Sequence, residues 1–431
     1  MVVGAASVAG AVLGPGGSIT VIAVALEILF TAFFLRHFAF AVAALRSGPV
    51  DLRVPPTVDA RFAPSVTVLV ACKNEEAVVA TLVDRLLNLS YPAELTQLVV
   101  VDDASSDHTA AQLDALARRH PRLECIHRSP RAQPGKSAAL NAALPSVRGE
   151  IVVVFDADHQ PDRHAVARLV RHFRDPMVGA VQGRCEVGNR RDSLLARLIA
   201  LDYLAGYLVN EYGRQSLFRL PAYGGANCAV RTESLRALGG WNADSVTEDT
   251  DLTLRLRLRG QLVRYDVTAV DREEGVITLR RFWRQRYRWA RGHQQVWRDY
   301  RTQVWRCPAL SLAEKVETTM FLFVFHLPVA TALGLVVAAL WAAGMASPVD
   351  PLGLALFWTL LFLGPLLELG AGLLVAETDR RDAPMLVFFL PLFLVSIALC
   401  TKAWLDGLAG RRYAWVKTER AAAAPGWQVA G

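Results

Sequence analysis

Hydrophobic and polar positions divide the chain into two kinds of territory. Residues 1–35 hold a single charged side chain, Glu27, and residues 318–349 and 383–401 hold no Asp, Glu, Lys or Arg. Residues 350–376 carry only Asp350 and Glu368. Mostly apolar runs of about eighteen residues or more read as membrane spans. They predict one span at about 18–38 and three at about 320–342, 352–376 and 385–407. Between these regions the pattern is that of a water-soluble protein. Short β-branched runs, "VTVLV" (66–70), "LVVVD" (98–102) and "IVVVFD" (151–156), alternate with stretches of helical period such as "EEAVVATLVDRLLNL" and "DHTAAQLDALARRH". Strands alternating with helices predict an α/β fold, a mostly parallel sheet wound with helices. Such sheets bind ligands beyond the carboxyl ends of their strands.

The 431 residues are too many for one ordinary domain. The pattern divides them into a membrane helix (1–48), a globular domain (50–275), an amphipathic segment (276–312), three membrane helices (313–410) and a polar tail (411–431). The net charge of +7 alone would allow a nucleic-acid partner. The basic residues, however, gather in "TLRRFWRQRYRWARGHQQVWRDYRTQVWR", just before a span, so a membrane surface is the expected partner and nucleic acid is not. No basic residue precedes the first apolar run, which argues against a secretory signal. Arg36, Arg46, Arg53 and Arg61 follow that run, so the positive-inside rule places the globular domain in the cytoplasm and the protein in the cell membrane as a multi-pass chain. Three further crossings would put Arg411, Arg412, Lys417 and Arg420 outside, where the charge rule disagrees with the count. The six cysteines contain no CxxC pair, which fits reduced, buried thiols rather than a zinc motif or a disulfide framework.

Polar residues follow the strands where ligands are expected. The first strand runs into Lys73, Asn74 and Glu75, the second into Asp102 and Asp103, a later one into Asp156 and Asp158. In "IVVVFDADHQPD" the carboxylates of Asp156, Asp158 and Asp162 crowd together and repel. A bound cation would relieve them; a polar turn with a helix cap is the plainer reading. Acidic or polar residues at three adjacent strand ends point to a nucleotide-metal cleft. "QPGKSAALNAAL" (133–144) is not a Walker loop, because Pro130 stands where that loop needs glycine. Gly135 and Lys136 either open a helix toward a phosphate or form a turn with a solvated lysine. Gln285, Arg288 and Trp289 fall on one helix face, at i, i+3 and i+4.

Taken in order, "VACKNEE", "VVDDASSDHT", "GKSAALN", "FDADHQPD", "GGANCAVRTESLRALGGWN", "TEDTDL" and "QRYRW" resemble the membrane-embedded family 2 glycosyltransferases, the cellulose, hyaluronan, chitooligosaccharide and poly-N-acetylglucosamine synthases. The resemblance covers about residues 65–300 and the flanking membrane helices. It implies a cytoplasmic, GT-A-like and Rossmann-like domain, and it implies roles. Asp103 would bind the nucleobase. Asn74, Glu75, Lys136, Asp156 and Arg288 would hold the rest of the donor, a UDP-sugar. Asp158, with Asp156, would hold Mg²⁺ or Mn²⁺. Asp249 would be the general base, and Glu248, Gln285 and Trp289 would meet the acceptor. One displacement inverts the anomeric centre. The family's aromatic before "NE" is Lys73 here, so no base-stacking role is carried to it. "LTLRLRLRG" (252–260) alternates like a strand, but the resemblance makes it a helix, with Thr247 to cap it and Gly260 to end it.

The expected activity is extension of a β-linked polysaccharide or oligosaccharide from a nucleotide sugar. Four spans are few for a closed conduit, so an oligomer or an export partner is also expected. The rival is a single transfer of sugar to a lipid, since QxxRW also occurs in glucosylceramide-type synthases. A non-catalytic nucleotide-binding membrane partner is the reading from another class, and the intact Asp158, Asp249 and QxxRW argue against it.

Overall fold

The structure, a computed structural model, describes residues 15–48, 62–344, 351–376 and 380–411. Arg53, Arg61 and the tail after Arg411 lie outside the described residues. In chain order the main elements are α1 (Pro15–Ser47), β1 (Val66–Cys72), α2 (Val79–Leu87), β2 (Thr96–Asp102), α3 (Thr109–Arg119), β3 (Leu123–His127), α4 (Lys136–Ala143), β4 (Ile151–Asp156), β5 (Gln160–Pro161), α5 (Ala165–Val170) and β6 (Val178–Val187). There follow α6 (Leu194–Ala205), β7 (Cys228–Arg231), α7 (Thr232–Ala237), α8 (Glu248–Leu258), β8 (Leu262–Glu273), α9 (Leu279–Arg306), α10 (Leu312–Phe323), α11 (Leu327–Ala342), α12 (Pro351–Val375) and α13 (Phe389–Leu408).

Eight strands form one sheet in the order β3-β2-β1-β4-β7-β6-β8-β5. The half from β3 to β4 is parallel, as the alternation of strands and helices predicts. β7 runs antiparallel between β4 and β6, and β6 and β8 are parallel to each other. Successive side chains of a strand face opposite sides. Val66, Val68 and Val70 of β1 accordingly join the core under α2 and α5, while Leu69 joins the core on the other side, with Ala139 and Leu140 of α4. Both faces are covered, which explains why the central strands read as unbroken apolar runs.

The Leu-Arg alternation of 252–258 is helical. Leu252 and Leu256, one turn apart, pack on the sheet, and Leu254 and Leu258 pack with Val296 and Trp297 of α9. Between two apolar neighbours a helix needs two leucine stripes, and the result imitates strand alternation. Arg255 pairs with Asp251 at 2.5 Å and Arg257 with Glu314 at 2.6 Å, so the arginines are held rather than solvated. Gly260 ends the segment with φ +78.

Three stretches of helix are long and apolar enough to cross a membrane among the described residues: Ser18–Ser47, Leu312–Leu340 and Arg381–Leu408. The fourth stretch read as a span falls on α12, a helix of 25 residues whose part Leu361–Val375 is apolar. α12 packs along α1, and α9 packs against α10 and α13, which seats the globular domain on the apolar helices.

Candidate active site

Register decides which polar residues meet. β1 pairs with β2 and β4 so that Cys72 lies beside Asp102 and Ala71 beside Asp156. The chain leaves all three strands at one edge, and a cavity of about 660 Å³ opens there. Glu75, Asp103, Lys136, Asp156 and Asp158 line it, as does Lys73. Asn74 does not join them: it is exposed, with φ of 52, and its side-chain oxygen accepts a hydrogen bond from Ser106 N at 2.8 Å. It shapes the turn that delivers its neighbours.

Asp103 is held at both oxygens. Arg128 donates to Oδ1, and Gly135 N donates to Oδ2 at 3.0 Å. Arg128 lies in an irregular stretch with no period or motif, so sequence reasoning passed over it. Gly135 adopts φ +117, a conformation that disfavours a side chain, and sets Lys136 at the start of α4. Lys136 is not a solvated lysine. Its Nζ lies 2.5 Å from Asp156 Oδ1 and donates to Gly225 O at 2.9 Å. Burial works against ionisation of Asp156, but the Lys136 ammonium overcomes it and holds the carboxyl below its usual range.

Asp156, Asp158 and His159 offer ligand atoms that all lie within 4.8 Å of one another. The two carboxylates at a rigid strand end suit a divalent cation such as Mg²⁺ or Mn²⁺.

Glu248 and Asp249 open α8 and line the same cavity. Thr250 donates to Asp249 Oδ1 from its backbone N at 2.6 Å and from Oγ1 at 3.3 Å. Gly225 has φ +79, and a Cβ there would lie 3.2 Å from Asp249 Oδ2. One turn of glycine backbone thus accepts from Lys136 and presses against Asp249. Burial, then the neighbouring Asp249, pushes Glu248 up to about 7. Burial also raises Asp249, against the pull of its hydrogen bond from Thr250 and of the Lys136 and Arg288 charges. The expected side-chain cap of this helix is absent: Thr247 makes no cap bond, and its hydroxyl is buried without a partner among the described residues.

Gln285, Arg288 and Trp289 reach the cavity from α9. The Arg288 charge acts on Asp156, Glu248 and Asp249 together. Gln285 Oε1 is buried without a hydrogen-bond partner among the described residues, which leaves it for a ligand. The indole of Trp289 is stacked by Arg286, whose guanidinium carbon is 4.4 Å from the ring centroid. Arg286, which pairs with Asp202, was not singled out in the sequence and occupies one face of the indole.

The cavity continues toward the apolar helices, where Arg36, Asn210, Arg214 and Glu368 line it. Arg36 donates to both oxygens of Glu317, at 2.9 and 2.8 Å, and Arg214 lies 3.2 Å from the same carboxylate. Asn210 donates to Glu368 at 2.6 Å, and His37 lies 2.6 Å from the other Glu368 oxygen. Ionisable groups in apolar helices pair with one another and mark pathways. Sequence reasoning missed this end, because Arg36 meets Glu317, and Glu368 meets His37 and Asn210, only in the fold.

Comparison with known proteins agrees with this geometry. Residues 63–292 match the family described as "Glycosyltransferase like family 2". The chain is 36% identical over 281 residues to a beta-monoglucosyldiacylglycerol synthase of Synechocystis sp., covering 64% of this chain and 58% of that protein. It is 26% identical over 252 residues to a poly-beta-1,6-N-acetyl-D-glucosamine synthase of Staphylococcus aureus, covering 58% of this chain and 60% of that protein. The match therefore spans little more than half of either relative. Among solved structures, a mannosyltransferase from Pyrobaculum calidifontis in complex with GDP-Man and Mn²⁺ superimposes with a TM-score of 0.61 and 26% identity, over 91% of this chain and 100% of that one.

Proposed function

Because the chain belongs to glycosyltransferase family 2, we propose that it moves one sugar, with inversion, from a nucleotide sugar to the hydroxyl of a membrane lipid. The observation that carries this reading is the single cavity that runs from Asp156 and Asp158 past Asp249 to Arg36, Asn210 and Glu368. An acceptor anchored in the bilayer reaches Asp249 from that side, while a water-soluble donor enters beside Asp103. The glucosyldiacylglycerol synthase relative supports the lipid as acceptor. The sequence-based expectation of a polymer synthase gives way to its rival on these two grounds. The poly-N-acetylglucosamine synthase relative keeps chain extension as the second reading.

Asp103 and Arg128 face the nucleobase of the donor, which we take to be a UDP-sugar. Lys136 and Arg288 neutralise the diphosphate, and Gly135 lets the backbone approach it closely. Asp156 and Asp158 would hold Mg²⁺ or Mn²⁺, and a cation there would stabilise the departing nucleoside diphosphate. Asp249 takes the proton of the acceptor hydroxyl as that oxygen attacks the anomeric carbon. Its raised pKa makes it a stronger base than an ordinary aspartate. Glu248, Gln285 and Trp289 orient the acceptor.

The test is to incubate the purified protein with membranes and a panel of radiolabelled nucleotide sugars. The expected product extracts with lipid and carries one β-linked sugar. A water-soluble ladder of longer species would favour chain extension, and no transfer from any donor would refute both.

A further inference from the structure

One cluster beside the cavity has a ligand geometry of its own. His159 lies on the turn after β4, Cys185 on β6 and Glu273 at the end of β8, and one ligand atom from each lies within 4.8 Å of the others. All three line the cavity, and His159 and Cys185 are buried. Their surroundings hold them in place. Asp271, fully buried, bonds Nδ1 of His159. That turns Nε2 toward Glu273 Oε2 at 3.3 Å and Asp156 Oδ2 at 3.9 Å. Tyr203 donates to the other Glu273 oxygen, Oε1, at 2.7 Å. The Tyr207 hydroxyl stands beside the Cys185 thiol. Histidines that hold metals are oriented in this way, with the other ring nitrogen bonded to a carboxylate, and ligating carboxylates are themselves hydrogen-bonded.

We propose that His159 Nε2, Cys185 Sγ and Glu273 Oε2 form a second cation site, which takes a thiophilic divalent ion such as Zn²⁺. A nitrogen, sulfur and oxygen set favours zinc over the Mg²⁺ or Mn²⁺ suited to carboxylates alone. Three protein ligands leave a fourth position open to the cavity, the form of an exchangeable zinc site. On binding, the Cys185 thiol and His159 Nε2, which faces Glu273, each release a proton to solvent. Occupancy withdraws His159 Nε2 from Asp156 and places a second positive charge beside the donor carboxylates, so it inhibits transfer.

The test titrates the full-length protein with Co²⁺ under excess Mg²⁺ and follows absorbance. A thiolate-to-cobalt charge-transfer band is expected in the wild type and in Cys125→Ser. It should vanish in Cys185→Ser, whose thermal unfolding checks that it is folded, with Cys185→Ala as the substitute if it is not. Asp271→Asn should weaken Co²⁺ binding about 10–100-fold. The band should survive in Asp158→Asn, which separates this site from the donor-metal assignment. Zn²⁺ should inhibit transfer by the wild type under excess Mg²⁺, and about tenfold more weakly by Cys185→Ser. Absence of the band from the wild type, or its persistence in Cys185→Ser, would overturn the site. Equal inhibition of both proteins would overturn its inhibitory role.

Discussion

Gly292 of α9 lies directly against Thr247, the residue that precedes the Glu248–Asp249 pair: a Cβ at position 292 would fall 2.3 Å from Thr247 Cγ2 and 2.6 Å from its Oγ1. The helix carrying Gln285, Arg288 and Trp289 is thereby docked on the start of the helix carrying Asp249. Gly292→Ala should force the two apart. We expect a loss of about 1–3 kcal/mol in stability, the usual range for overpacking, and a larger proportional loss of turnover. Thr247→Ser removes the nearest methyl and should restore part of both. Unchanged melting and unchanged turnover in Gly292→Ala would mean that this contact does not set the site.

Lys136 and Asp156 form the next relationship, an ion pair across the cleft between α4 and β4. Lys136→Met should raise the KM for the donor about tenfold to a hundredfold, since charge-assisted contacts contribute roughly 1.5–3 kcal/mol. Asp158→Asn should lower turnover about a hundredfold or more while leaving the melting temperature near that of the wild type. Excess EDTA should abolish transfer, and added Mn²⁺ should restore it. Full activity in EDTA would remove the cation from the reaction.

The pH dependence follows from Glu248 and Asp249. Burial raises both, and the neighbouring Asp249 charge helps push Glu248 up to about 7. A base must be ionised to act, so activity should be lost as pH falls, at a higher pH than ordinary carboxylates would give. The pair titrates as a unit. Glu248→Gln removes the neighbouring charge, so Asp249 should ionise more readily and the acidic limb of kcat should move to lower pH. An acidic limb at the same pH in both proteins would exclude this coupling.

That polar residues meet at the strand ends was legible because they follow strands or sit in short motifs. Asp103, Asp156 and Asp158 end or follow buried β-branched runs, and a parallel register brings such ends together. Gln285, Arg288 and Trp289 share a helix face by spacing alone. Other features depended on partners far along the chain. Arg128, Arg286 and the Arg36–Glu317 pair join segments that no local pattern connects. His159, Cys185 and Glu273 show no metal-motif spacing, because a turn and two separate strands supply them. Thr247 looked like a cap because of its type, but its side chain makes no cap bond and Gly292 packs against it.

Asp249 lies in the cavity between the strand-end carboxylates and the residues of the apolar helices, so the most direct measurement compares donor binding with turnover in Asp249→Asn. Donor affinity should stay close to that of the wild type, because Lys136, Arg288 and the strand-end carboxylates are untouched. Turnover should fall about 10²–10⁴-fold, the contribution typical of a general base. If donor binding collapsed in step with turnover, or if turnover survived, Asp249 would not be the base.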